Sequence, residues 1–134
     1  AVAPSGTFVL NARTDTYFAG TTGDIFAETV ERAVRYVEAG ADCVFVPGVV
    51  EEDTIRRLAA AIPGPLNVVA GLANTIDAPT LFSLGVKRVS LGGSLARAAL
   101  SMLERAGHEL LDSGTLGFLD GAIGYADLQR RFGS

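Results

Sequence analysis

Three polar residues, Asn11, Arg13 and Asp15, follow directly on the apolar run Phe8, Val9, Leu10. The run suits a sheet interior. An amide, a guanidinium and a carboxylate placed where it ends are solvated, paired or used, because an unpaired buried charge costs several kcal/mol. Two further stretches have the same character. Asn67 interrupts the apolar segment "PLNVVAG", and Gly92, Gly93 and Ser94 stand between another apolar run and a helical pattern. An arginine and an asparagine that converge suit a small anion with a planar carboxylate, since the guanidinium fork donates two parallel hydrogen bonds. Backbone N–H groups of Gly92, Gly93 and Ser94 at a helix N-terminus would favour the same kind of ligand.

Each of these residues also has a plainer role. Arg13 can simply pair with Asp15 or with a neighbouring helix, and Asp15 can be a turn or cap residue. Asn67 can satisfy a backbone group, although a strand interior disfavours it. Glycine before a helix is commonplace. Cys43 reads as an inert packing residue, as free cysteine usually does. His108 lies mid-helix with no Cys, Asp or Glu at ligand spacing, which suits a solvated residue. The Glu51-Glu52-Asp53 run reads as a helix N-terminus that sets negative charge against the dipole, with metal binding as the other reading.

Elements to position these residues are legible along the chain. Apolar runs of strand length cover residues 8–10, 43–46, 66–70 and 86–91. They are near-continuous rather than alternating, the pattern of parallel strands covered on both faces. Helical patterns lie between them. Phe26, Val30, Ala33, Val34 and Val37 form one face, with Asp24 as cap and Gly40 as left-handed stop. Ile55, Leu58, Ala59 and Ile62 form a second, with Asp53 as cap and Pro63-Gly64 as breaker. Asp77 and Pro79 open a short helix through Leu81 and Leu84 that Gly85 ends. A longer helix carries Leu95, Ala99, Met102, Leu103, Ala106 and Leu110 and ends before Gly114. A Gly-rich connection then leads to "GYADLQRRF", a terminal helix with Tyr125, Leu128 and Phe132 on one side. Strand then helix, four times over, predicts consecutive right-handed β-α-β units around a parallel sheet. The spacing fits both a doubly wound sheet and part of a barrel. In either, ligands bind at the carboxyl ends of the strands, where these polar residues fall.

Composition narrows the function classes. With 134 residues the chain is long enough for one domain, and 49% hydrophobic against 19% charged residues sets disorder aside. So apolar a chain also implies that part of its surface is covered. A net charge of -4 argues against a nucleic-acid partner. No apolar run approaches the ~18 residues of a membrane span. The opening "AVAPSGTF" lacks the basic start and long apolar stretch of a signal peptide. A single cysteine excludes an internal disulfide and fits a cytoplasmic location. The first residue is not Met, which is consistent with a fragment or a processed product.

The motifs "FVLNARTD", "ERAVRYVEAGADCVFVPGV", "PLNVVAG" and "LGVKRVSLGGSLARAAL" resemble the isocitrate lyase / phosphoenolpyruvate mutase superfamily, and within it the carboxyvinyl-carboxyphosphonate phosphorylmutase-like and methylisocitrate lyase-like members. The resemblance runs along nearly the whole chain, and "ARTD" after a strand is its most specific piece. It implies an α/β barrel, Mg²⁺, and a small α-keto or 2-hydroxy acid whose carbon–carbon or carbon–phosphorus bond is made or broken through an enolate. By motif position it assigns Arg13 to the substrate carboxylate or phosphonate and Asn67 to substrate binding, with Asn11, Asp15, Gly92, Gly93 and Ser94 as further candidates. It assigns this chain neither a catalytic residue nor a metal ligand. The sequence departs from the lyase pattern at two places. Pro47 occupies the position of a glutamate, and Val69 that of a threonine or serine.

A complete barrel of this kind needs ~250 residues and eight strands. The four strand patterns match its second half. The expectation is therefore the C-terminal half of a TIM (β/α)₈ barrel over residues 1–134. Four β-α units would run to residue 114, and the Gly-rich connection and terminal helix would cover 115–134. A bare apolar sheet face and two open edges make a lone monomer hazardous. Two copies closing together, a separate N-terminal half, or a cleaved protein would resolve this, and the terminal helix could exchange between subunits. The expected function is the C-terminal portion of a Mg²⁺-dependent lyase or mutase, inactive as an isolated chain, acting on a small oxyacid without nucleic acid or membrane. The alternatives are a non-catalytic, self-associating half-barrel and a fragment that binds phosphate or sulfate at "GGS".

Overall fold

The computed structural model describes residues 8–20, 22–71 and 75–133, so most of the opening "AVAPSGTF" stretch lies outside the described residues. The chain forms two compact units, the first ending at Gly92 and the second starting at Gly93.

The first unit is a four-stranded parallel sheet in the order β1-β2-β3-β4. Its strands are β1 (Asn11–Arg13), β2 (Cys43–Phe45), β3 (Leu66–Val69) and β4 (Arg88–Ser90). Helices α1 (Thr16–Ala19) and α2 (Ile25–Glu38) connect the first two strands, α3 (Glu52–Ala61) the next two, and α4 (Ala78–Ser83) the last two. Sequence neighbours are spatial neighbours throughout, as consecutive β-α units require.

One face of the sheet carries the core. Val44, Val46, Leu66 and Val68 are essentially inaccessible, as are Ala33, Ile55, Leu58 and Leu81 from the helices that pack on them. Because side chains alternate along a strand, this outward set leaves Arg13, Phe45, Asn67 and Arg88 on the opposite, inner face.

The caps explain where two of the helices start. Asp24 accepts from Ala27 N and Asp77 from Thr80 N, each satisfying an orphan donor in the first turn. Gly40 has φ +99°, the left-handed stop after α2. In α3 the cap is Glu51 rather than Asp53, without a side-chain cap bond; Glu52 and Asp53 lie in its first turn, where acidic charge meets the helix dipole.

The first strand corrects the sequence reading most. Residues 8–10 were expected to form it, yet the strand is Asn11–Arg13, and Phe8, Val9 and Leu10 are exposed. Pairing with β2 begins only at the Leu10 carbonyl, which accepts from Asp42 N and Cys43 N, while Asp42 Oδ2 accepts from Leu10 N. Asn11 and Arg13 therefore lie within the strand, and Asp15 just beyond it as the N-cap of α1.

In the second unit, α5 (Ser94–Asp112) is followed by a 3₁₀ turn (Gly117–Leu119) and α6 (Tyr125–Phe132). Glu109 organises the connection: its carboxylate accepts from Thr115 Oγ1, Gly117 N and Phe118 N at 2.6, 2.6 and 3.0 Å. Among the described residues no helix is long and apolar enough to cross a membrane.

Candidate active site on the inner face of the sheet

Register aligns the site. Arg13 is opposite Phe45, Phe45 opposite Asn67, and Asn67 opposite Arg88, so these four residues form one row across all four strands. Above this row opens a cavity of about 530 Å³, lined by Arg13, Phe45, Pro47, Val69, Arg88, Ser90 and Gly92 among others. It lies toward the carboxyl ends of the strands, the end at which parallel α/β sheets bind their ligands.

Arg13 ends β1. Its Nε donates to Asp15 Oδ1 at 2.6 Å, and its guanidinium carbon lies 5.6 Å from the Phe45 ring centre and 5.8 Å from that of Phe18. Both partners in the ion pair are half exposed, at 50% and 52%. Such a pair contributes about 0–1 kcal/mol, so an incoming carboxylate can compete with Asp15 for the guanidinium at little cost. The rings hold the plane of the group without neutralising it.

Asn67 is fully buried in the middle of β3. Its carboxamide meets Ser90 of the adjacent strand: Nδ2 donates to Ser90 Oγ at 3.0 Å, and Ser90 Oγ donates to Asn67 Oδ1 at 3.1 Å. One hydroxyl engages one N–H and one lone pair, half of what a carboxamide offers.

The remaining predicted residues divide. Asp15 reaches the site as the partner of Arg13, and Gly92 lines the cavity with φ +52°, a left-handed conformation that glycine adopts without strain. Asn11 is opposite Cys43, one inward-facing position below Arg13 at the amino end of β1, and its Oδ1 is buried without a hydrogen-bond partner among the described residues. Gly93 is the N-cap of α5 and Ser94 its first residue, both in the second unit.

Arg88, Phe45 and Ser90 escaped the sequence reading. The signal for Arg88 was its parity: it lies two residues before Ser90 within an apolar run, so both face the same side. Cys43 is buried as expected, and burial pushes its thiol pKa up, with the nearby Arg88 charge pulling the other way. Pro47, where the lyase pattern has a glutamate, is buried in the cavity wall, followed by a tight turn at Gly48. Gly48 has φ +89°, and a Cβ there would lie 2.9 Å from the Tyr17 carbonyl oxygen. The turn after β2 thus packs directly on α1. That helix is the short one that contains Phe18, whose ring contacts Arg13.

With this geometry in view, comparison with known proteins becomes specific. Residues 1–111 match the family of phosphoenolpyruvate phosphomutase. The chain belongs to this family. It is 38% identical over 122 residues to an uncharacterized protein of Mycobacterium tuberculosis, covering 91% of this chain and 45% of that one. To a probable 2-methylisocitrate lyase of Corynebacterium glutamicum it is 33% identical over 118 residues, 84% of this chain and 37% of the relative. Among solved structures, a putative lyase/mutase of Burkholderia cenocepacia J2315 superposes with a TM-score of 0.87 at 39% identity, covering 98% of this chain and 47% of that protein. The phosphoenolpyruvate mutase / isocitrate lyase superfamily is therefore the right one. The four β-α units are those of a half-barrel, and the chain spans about half the length, or less, of the relatives it matches.

Proposed function

We propose that this chain supplies the oxyacid-binding wall of a lyase or phosphonomutase acting on a small α-keto or 2-hydroxy acid. The observation that carries the reading is the single inner-face row, in which Arg13 lines the cavity from β1 and Asn67, buried beneath it on β3, hydrogen-bonds the cavity-lining Ser90. In this reading Arg13 exchanges Asp15 for a ligand carboxylate or phosphonate and holds it by charge-assisted hydrogen bonds. Asn67 then orients a carbonyl or hydroxyl oxygen, with Ser90 fixing its amide. Phe45, Pro47 and Val69 exclude water on one side and strengthen both interactions.

In the complete family enzyme Mg²⁺ would supply electrophilic stabilisation of an enolate. The residues here do not fit that ion. Among the described residues no three His, Cys, Asp or Glu side chains gather, and both charged residues lining the cavity are cationic. A metal used in turnover would take its ligands from outside this chain, so the 134-residue chain alone should bind oxyacids without turning them over. Incubating it with oxaloacetate, methylisocitrate or phosphonopyruvate and Mg²⁺ tests this. The expected result is no turnover above background, and turnover at ordinary enzyme rates would overturn the reading.

A second reading is a non-catalytic, self-associating half-barrel. It is favoured by the inner face that the first unit's own helices leave uncovered and by the edge strands β1 and β4. Sedimentation at micromolar concentration tests it, with a dimer or larger particle expected and a stable monomer contradicting it.

A further inference from the structure

An anion that takes Arg13 leaves the Asp15 carboxylate without its partner. Asp15 is the N-cap of α1, yet its side chain makes no cap hydrogen bond. Asp24 and Asp77, which do cap their helices, have extended backbones with ψ 102° and 159°; Asp15 has ψ 16°, with its Oδ1 on Arg13 Nε. Its carbonyl oxygen serves instead, accepting from both Phe18 N and Ala19 N at 2.8 Å. In an ordinary cap the side chain accepts from the third helical N–H, here that of Phe18, and the carbonyl keeps the next, here that of Ala19. The body of α1 is fixed on two sides, by the Thr16–Thr29 hydroxyl bond of 2.6 Å and by the Gly48 turn against the Tyr17 carbonyl. Arg32, the other cation that shares a hollow with Asp15, is already held by Glu28 through two hydrogen bonds of 2.9 and 2.6 Å.

We infer that Asp15 is a two-state residue that couples Arg13 to helix α1: it pairs with Arg13 until an anion takes the guanidinium, and then caps the helix. The inference rests on the oxyacid reading above and adds a conformational response to it. In the change, the Asp15 ψ moves into the extended range, its carboxylate leaves Arg13 Nε and accepts from Phe18 N, and its carbonyl keeps Ala19 N. The anion itself binds Arg13, not the helix. Both states satisfy the carboxylate, so the new cap offsets the loss of an ion pair that is weak because it is half exposed. Linkage makes the coupling reciprocal: whatever releases Asp15 from Arg13 also caps α1. Phe18, whose ring lies against Arg13, carries the N–H that changes partner.

Arg13→Gln releases Asp15 without any ligand, so the test has an arm independent of the oxyacid reading. Water-exchange NMR of the full chain reads the Phe18 amide. Arg13→Gln should slow its exchange ~2- to 10-fold, the factor that a side-chain cap contributes to a helix end. Saturating malate should slow it by a similar factor in the parent chain. Asp15→Asn, a cap without the charge that pairs with Arg13, should exchange slowly with or without malate, and Asp15→Ala fast in both conditions. An Arg13→Gln variant whose Phe18 amide exchanges as in the parent overturns the inference. So does malate that shifts the Arg13 and Asn67 amides of the parent chain and leaves Phe18 exchange unchanged; the oxyacid reading survives that result. If malate shifts none of these amides, the oxyacid reading fails, and the coupling to a ligand falls with it even where Arg13→Gln slows exchange. The Arg13 and Asp15 side chains are half exposed, so these substitutions leave the core intact, which melting curves confirm.

Discussion

Asn67 offers the sharpest separation of ligand binding from stability. It is a carboxamide with no accessible surface in an otherwise apolar strand, hydrogen-bonded to Ser90. Asn67→Leu keeps the side chain's approximate shape and strands the Ser90 hydroxyl, which costs about 1–3 kcal/mol. In a unit of this size each kcal/mol lowers the melting temperature by about 4–8 °C. The double variant Asn67→Leu/Ser90→Ala removes both polar partners together, and such paired replacement is close to neutral. The double variant should therefore melt within a few degrees of the parent, above the single variant. Its affinity for malate, a 2-hydroxy acid whose hydroxyl Asn67 would orient, should nevertheless fall ~2- to 10-fold, because such a hydrogen bond contributes about 0.5–1.5 kcal/mol. Thermal denaturation followed by circular dichroism, with NMR titration on the same samples, reads both quantities. A double variant destabilised by more than about 3 kcal/mol would make Asn67 a structural keystone, and one that binds malate like the parent would remove it from the site; either result refutes the reasoning.

Other expectations follow from the same structure. Leu58→Ala removes a fully buried side chain from the helix-covered face and should cost about 2–5 kcal/mol in urea denaturation, with no change in ligand selectivity. Gly48→Ala should cost about 1–3 kcal/mol, because φ +89° and the Tyr17 carbonyl both oppose a Cβ; an unaffected melting temperature would contradict the tight turn. The Glu109 pKa is lowered, first by the Thr115 hydroxyl and then by the Gly117 amide. Its folded value lies below the unfolded one, so its contribution is present above the ordinary glutamate range and lost as pH falls through the folded value. The Gly117 and Phe118 amide resonances should shift with a midpoint below that of a free glutamate, and Glu109→Gln should abolish the titration.

How much of this was legible in the sequence depended on which force decided each element. Helices α2 and α4 were readable because Asp24 and Asp77 cap them by side-chain hydrogen bonds and an apolar stripe follows. Helix α3 was also found, although the cap was attributed to Asp53 rather than Glu51: in a run of three acids, composition does not say which one has the extended backbone. The one-turn helix α1 has no periodicity to detect. β1 was misplaced by three residues because hydrophobicity was used to locate it. In this sheet the inner row is partly polar, so pairing rather than apolar character defines the strand. The same rule hid Arg88. A basic residue between Val86 and Val89 reads as surface decoration until the register sets it opposite Asn67. Arg13 and Asn67, by contrast, stood out because each is the wrong residue type for its neighbours.

The central claim is that a small oxyacid binds on the inner face of the sheet, and mapping amide shifts of the isotopically labelled full chain during a succinate titration tests it most directly. The account predicts saturable shifts concentrated at Arg13, Phe45, Asn67, Ser90 and Gly92, with the helix-covered residues Val44 and Leu58 unmoved. Shifts absent from that row, or clustered instead around Gly93 and Ser94 at the start of α5, would contradict it.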